Sequence, residues 1–236
     1  SWWSRTRLLI SEIFQSLQGE GLYAGHPSVF IRTAGCNLRC RWCDTPHTSW
    51  TVVGEQLDVK RILKQASTWR DVEHVVVTGG EPLIQKDLAE LVDGLRERSH
   101  FVTVETSGTH YEGAVNPQFF SISPKLRHSY PEEDDHGAEL IRHRKNNLYD
   151  QLPLFMNSDS DYQFKFVVES KDNTDEILEL ISRFEIPRNK VCLMPQATTT
   201  RELSSRGGLV AAICRDEGLN FSGRLHIELW GNERGT

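Results

Sequence analysis

Three cysteines in this chain are spaced to share one inorganic group. Cys36, Cys40 and Cys43 form a Cys-x3-Cys-x2-Cys cluster, while Cys192 and Cys214 stand alone far downstream. An odd, clustered set of thiols reads as a metal site in a reducing compartment, not as a disulfide framework. Three thiolates at this spacing can hold three irons of a [4Fe–4S] cubane, whose usual complement of ligands is four. The missing fourth ligand leaves one iron open to an outside molecule, much as a catalytic zinc keeps an open position. The same residues also permit a zinc site completed by His47 or Asp44, including a non-catalytic zinc or iron–sulfur module that binds a partner. Zinc ligands usually come as two separated couples, and no second couple is present here. Trp42, just before the third cysteine, offers an aromatic face to a ring bound beside the cluster.

The neighbouring elements must bring these thiols to one end of a sheet. Residues 8–14 and 28–32 are rich in apolar and β-branched side chains, consistent with strands. The cysteines then follow the carboxyl end of the second strand, where β/α folds bind ligands. Residues 58–69 place Val59, Ile62, Leu63 and Ala66 on one helical face, and Leu88, Leu91, Val92 and Leu95 repeat that period. Val75-Val76-Val77, within 73–78, fits a strand buried on both faces. Further strands are expected at 101–105, 119–123, 162–168, 191–194 and 225–230, and helices at 174–184 and around 209–215. The link between 105 and 119 is too short and too rich in Gly and Pro for a full helix. Strands alternating with helices imply a parallel sheet with right-handed crossovers. The expected fold is α/β, a partial, open TIM-like β/α barrel of about six core parallel strands with a reduced helix set.

Size and charge agree with that. The 236 residues suffice for one domain, 1–236, but fall short of the ~250 of a complete barrel. Residues 127–161 break the rhythm as a polar, partly helical insertion, with an acidic run at 132–135 and a basic run at 142–145. Lys and Arg number 27 against 33 Asp and Glu, a net charge of −6, which argues against a nucleic-acid partner. No apolar run approaches the ~18 residues that cross a bilayer. The opening Ser1-Trp2-Trp3-Ser4-Arg5 lacks the apolar core of a signal peptide, so a cytoplasmic chain without membrane contact is expected.

Cys36-Asn37-Leu38-Arg39-Cys40-Arg41-Trp42-Cys43 resembles the CxxxCx(aromatic)C signature of the radical S-adenosylmethionine (SAM) enzymes. Thr78-Gly79-Gly80-Glu81-Pro82 resembles that superfamily's second motif, which binds the SAM amino group. Two glycines permit close backbone approach, and carbonyls with a carboxylate suit an ammonium. A narrower likeness, to the 7-carboxy-7-deazaguanine synthase family, rests on Ser16 to Gly21, Phe30 to Gly35, Cys43-Asp44-Thr45, Val104 to Thr109, Ser123-Pro124-Lys125 and Leu225 to Trp230. It extends from near Leu8 to the C-terminus, excepting the polar insertion. A radical SAM activase acting on a protein partner is the alternative within enzymes, and the Gln18, Arg32 and Thr45 set argues against it.

The resemblance implies a lyase that contracts 6-carboxy-5,6,7,8-tetrahydropterin to 7-carboxy-7-deazaguanine with loss of ammonia, toward queuosine and other deazapurines. It implies a [4Fe–4S] cluster on Cys36, Cys40 and Cys43, catalytic use of SAM, and Mg²⁺ on Thr45. SAM would meet Trp42, Cys43 and Asp44, Gly79, Gly80 and Glu81, and Ser123, Pro124 and Lys125, with Met194 and Gln196 on the opposite wall. The pterin would meet Leu17, Gln18, Gly19, Glu20, Arg32, Thr78, Glu105 and Thr236. Arg32 suits the substrate carboxylate, a task for a planar fork of donors. The tail 230–236 is expected either to fold over the site or to fray. His226 is either a satisfied core histidine or a functional one. Ser107 stands where many relatives carry Asn. Family members are commonly homodimers, and an open barrel suits an electron donor such as flavodoxin.

Overall fold

The computed structural model describes residues 6–236; Ser1 to Arg5, on which the expectation of no signal peptide rests, lie outside the described residues. β1 (Arg7–Leu17) and β2 (Pro27–Thr33) precede the cysteines. α1 (Pro46–Ser49), β3 (Glu55–Asp58), α2 (Val59–Ala66) and β4 (His74–Gly79) follow them. Next come α3 (Leu88–Arg96), β5 (Phe101–Thr106) and β6 (Phe119–Ile122). The polar insertion carries α4 (Glu133–Asn146) and α5 (Leu152–Met156). The chain ends with β7 (Asp161–Val168), α6 (Asn173–Arg183), β8 (Val191–Pro195), α7 (Thr200–Glu217), β9 (Asn220–Phe221) and α8 (Leu225–Trp230).

One sheet runs in the order β3-β1-β2-β4-β5-β6-β7-β8-β9. Its ends do not pair with each other, so the barrel is open. β2 and β4 to β8 are the six expected parallel core strands, with two-residue β9 added at one edge. Val75, Val76 and Val77 are wholly buried in β4, as a strand covered on both faces requires. Leu88, Leu91, Val92 and Leu95 bury the inner face of α3. No helix among the described residues is long and apolar enough to cross a membrane.

Three expectations change. β1 pairs antiparallel with β2 and with β3, because the link across 18–26 is too short for a crossover of ~12 residues or more. The segment Leu225–Trp230, expected as a strand from its alternating Leu225, Ile227 and Leu229, is helix α8. β9 already occupies the edge of β8, and only Ile227 of α8 is buried, beside Ala197 and Leu203. α7 begins nine residues before the expected 209–215 segment. Its polar first half shows little apolar period, and a capping box starts it: Glu202 N–H donates to Thr199 Oγ1 at 3.2 Å, and Thr199 N–H to Glu202 Oε2 at 3.2 Å. Gly218, at φ +65°, stops it in the left-handed region. Thr199→Ala should therefore cost about 1 kcal/mol, read as a lower urea midpoint with an unchanged slope.

Candidate active site

β2 ends at Thr33, and Ala34-Gly35 lead straight into the cysteine loop, beside the end of β4. Gly80 N–H donates to the Thr33 carbonyl at 3.1 Å, and Glu81 N–H to the Gly35 carbonyl at 2.9 Å. A Cβ on Gly80 would lie 2.1 Å from the Gly35 oxygen. One on Gly79, at φ +132°, would lie 2.1 Å from the Thr33 oxygen. The two glycines thus let one backbone lie directly on the other. Glu81, expected against SAM, is not among the residues lining the cavity. Its fully buried carboxylate accepts from Thr106 Oγ1 (2.8 Å), Ser107 N–H (2.8 Å), Ser107 Oγ (2.5 Å) and Leu83 N–H (3.2 Å). It is turned into the end of β5, away from the central cavity, and Ser107 spends its hydroxyl there.

Cys36, Cys40 and Cys43 line one cavity of about 400 Å³, a size ordinary for a small-molecule site. All three thiols are free. Burial, then the Glu81 carboxylate, pushes the Cys36 thiol up to about 11, and burial pushes Cys40 further in the same direction. Among the described residues no three Cys, His, Asp or Glu side chains converge as a single ion requires. Thiols ringing a cavity suit a polynuclear cluster, which spreads its ligands over separate irons. Zinc completed by Asp44 is disfavoured as well, because that carboxylate is occupied by the Arg224 guanidinium. The buried Trp42 indole N–H has no protein partner and lines the same cavity, a donor free for a bound group.

The opposite wall collects charge. Gln18 Nε2 donates to Glu105 Oε1 at 3.1 Å, and Thr78 Oγ1 to Glu105 Oε2 at 2.8 Å. Lys165 Nζ donates to Glu20 and stands 4.0 Å from Glu105. Arg224 donates through Nε to Glu20 at 2.9 Å, through Nη2 to Asp44 and through Nη1 to the Ala197 carbonyl. Burial alone would raise the pKa of Glu20, but Lys165, Arg224 and His226 outweigh it and hold the carboxyl far below its usual range. Arg32 Nε donates to Glu12 at 2.7 Å while its guanidinium lies 5.6 Å from the centre of the Phe14 ring. His226 packs so closely that a Cβ on Gly19 would sit 2.0 Å from its Nδ1. Its pKa is lowered, first by burial.

Leu17, Gln18, Gly19, Glu20, Arg32 and Thr78 all line this cavity, as do Glu105, Asp44, Thr45, Gly79 and Gly80. So do Ser123, Lys125 and Met194. Lys125 Nζ donates to Ser123 Oγ at 2.9 Å and lies 5.7 Å from the centre of the Trp42 ring. The tail folds over the opening, placing Asn232, Glu233, Arg234 and Thr236 on its lining. Glu81, Pro124 and Gln196 are outside the lining; Gln196 accepts from Arg206 Nη1 at 2.7 Å through both its backbone and side-chain oxygens. Lys165 and Arg224 line the cavity and pair with Glu20, and no motif or spacing in the sequence points to either.

Residues 30–194 match the radical SAM superfamily. A 7-carboxy-7-deazaguanine synthase of Rhodopirellula baltica is 41% identical, covering 99% of this chain and 90% of that protein. One from Halobacterium salinarum is 38% identical, covering 95% and 91%. The crystal structure of QueE from Escherichia coli aligns with a TM-score of 0.68 at 25% identity, covering 93% of this chain and 95% of that one. The chain belongs to the 7-carboxy-7-deazaguanine synthase family of the radical SAM superfamily. Within this family member, the cysteine wall and the charged wall face one cavity, so a group bound at one lies against a molecule bound at the other.

The charged wall also carries stability. Lys165→Met would strip Glu20 of one of its two close cations, leaving Arg224 and the more distant His226, and should cost less than the roughly 3–5 kcal/mol of a buried charge left wholly unpaired, with Lys165→Arg milder, read by urea unfolding at pH 7. Glu20 is ionised in the fold where the unfolded chain has taken up a proton. Its contribution is therefore complete above the ordinary carboxylate pKa of ~4.3 and lost as pH falls below it. Glu20→Gln should flatten that acid limb.

Proposed function

We propose that this chain is a carbon–nitrogen lyase, a 7-carboxy-7-deazaguanine synthase. It contracts the ring of 6-carboxy-5,6,7,8-tetrahydropterin to 7-carboxy-7-deazaguanine with release of ammonia. The observation that carries this reading is one cavity that joins three free thiols to Gln18, Glu20, Arg32 and Glu105. When bound on Cys36, Cys40 and Cys43, the [4Fe–4S] cluster, together with SAM, supplies the one-electron chemistry.

The chain's own residues bind, orient and exclude water. Glu12 orients Arg32, whose remaining fork meets the substrate carboxylate. Held ionised by Lys165 and Arg224, Glu20 is an acceptor-only group matched to the N–H edge of the aminopyrimidinone. Glu105, already oriented by Gln18 and Thr78, accepts from the same edge. Leu17 and Gly19 meet the ring, and Thr236 meets the substrate as the tail covers it. Trp42, Cys43, Asp44, Gly79 and Gly80 meet SAM, with Ser123, Lys125 and Met194 completing its wall and Pro124 and Gln196 standing behind it. Thr45 Oγ1 offers one oxygen to Mg²⁺, the other positions falling to water and substrate. We assign residues 1–236 to one radical SAM domain, with 127–161 as an insertion, working as a cytoplasmic homodimer reduced by a flavodoxin-type donor. The free thiols fit a reducing compartment.

The test is anaerobic turnover of the iron- and sulfide-loaded chain with SAM, dithionite and 6-carboxytetrahydropterin. The expected result is 7-carboxy-7-deazaguanine with one ammonia per turnover, abolished in Cys40→Ala. Arg32→Met should lower kcat/KM about 100-fold, as loss of a buried charge-paired contact of roughly 3 kcal/mol implies. A loaded chain that cleaves SAM yet leaves the pterin unchanged overturns the assignment.

A further inference from the structure

None of the residues lining the cavity comes from the polar insertion, yet the insertion holds five residues of the cysteine loop, Cys36, Asn37, Arg39, Arg41 and Trp42. Arg142 Nη2 donates to the Cys36 carbonyl at 2.9 Å, and Asn146 Nδ2 to the Asn37 carbonyl at 3.0 Å. Arg39 N–H donates to His143 Nδ1 at 3.0 Å. Arg41 N–H donates to the Ser129 carbonyl at 2.9 Å. The His128 ring stacks on Trp42, 5.5 Å between centroids and 23° between planes. The loop has no strand or helix of its own between Gly35 and Pro46, so these bonds stand in for regular structure. A backbone N–H or C=O left unpaired there would destabilise this loop shape.

His143 is the centre of this grip. It is fully buried, and burial lowers its pKa to about 4, so the ring is neutral. Because Nδ1 accepts from Arg39 N–H, the ring's single proton sits on Nε2, which faces Ser129 Oγ at 3.2 Å. Ser129 Oγ in turn donates to the Leu126 carbonyl at 2.6 Å. Each member has one available role, so the chain of bonds specifies one loop shape.

We propose that the insertion at 127–161 is a clamp for the cysteine loop, with His143 and Arg142 as positioning residues that hold the three thiols in the arrangement that retains the cluster. The inference rests on cluster binding at Cys36, Cys40 and Cys43, though not on the identity of the substrate. Outer-shell partners of ligand residues commonly shift metal retention by 10–100-fold when removed. Arg39 Nη1 adds a second guanidinium on the Cys36 carbonyl at 2.9 Å, and Lys125 lies on the same cavity, so loss of Arg142 removes one of several cations near the thiols and disfavours the reduced, more negative cluster.

The experiment loads the full chain anaerobically with iron and sulfide, then follows loss of the cluster's visible absorbance to a ferrous chelator. Melting of the metal-free protein reports on folding. His143→Leu and Arg142→Met should lose the cluster about tenfold faster or more. His143→Asn, whose side-chain oxygen can accept from Arg39 N–H, should restore most of the retention. In a redox titration the reduced-to-oxidised ratio of Arg142→Met at fixed potential should fall several-fold, with Arg142→Lys intermediate. Wild-type retention in both His143→Leu and Arg142→Met would overturn the clamp, as would equal loss in His143→Asn and His143→Leu with unchanged melting. Should His143→Leu fail to fold, the exposed Arg142 variants decide alone. A wild-type chain that takes up no cluster overturns this inference and the cofactor reading together, whereas a retained cluster with no product overturns only the substrate.

Discussion

The site depends on two backbones meeting at the carboxyl ends of β2 and β4. Those strands run parallel with Arg32 opposite Thr78 and Thr33 opposite Gly79, so both chains leave the sheet on the same side. One exit carries three cysteines and the other carries two glycines. Gly80 stands where any side chain would strike the Gly35 carbonyl, so the cysteine loop is seated by close contact as well as by hydrogen bonds. Arg32 and Thr78 stay within the strands just before the exits, and that register sets these two residues beside the thiols.

The second determinant is charge taken out of water. Glu20 would be costly to bury alone, but Lys165 and Arg224 both pair with it, and Arg224 also reaches the half-exposed Asp44. Arg224 therefore ties the segment after β9 to the loop after Cys43 and to the turn after β1. It also explains why the chain turns back into α8 instead of adding another strand. Leu225 N–H donates to the Gly19 carbonyl at 2.9 Å, so the tail is led across the cavity from a fixed point.

What could be read in the sequence was local or periodic. The apolar spacing of α3, the valine run of β4 and the thiol cluster each depend on residues close together in the chain. Resemblance to known motifs added Gln18, Arg32 and Thr45, which spacing alone would not distinguish from a turn or a surface ion pair. The missed residues are those whose meaning lies far away. Lys165 is a single cation in an otherwise strand-like run, and its partner Glu20 is 145 residues distant. Glu81 reads from its motif as a SAM contact, and the partners that the end of β5 brings to its carboxylate, Thr106 and Ser107, stand 25 and 26 residues away. The insertion read as a solvated polar tract because its contacts, Arg142 and Asn146 to Cys36 and Asn37, cross more than a hundred residues.

Three thiols on one cavity would leave one iron of a bound four-iron cluster free beside the charged wall. Mössbauer spectroscopy of the ⁵⁷Fe-loaded protein tests it directly, with and without SAM. SAM should shift the signal of one iron in four and leave the other three nearly unchanged. A spectrum in which SAM alters none of the irons would contradict it.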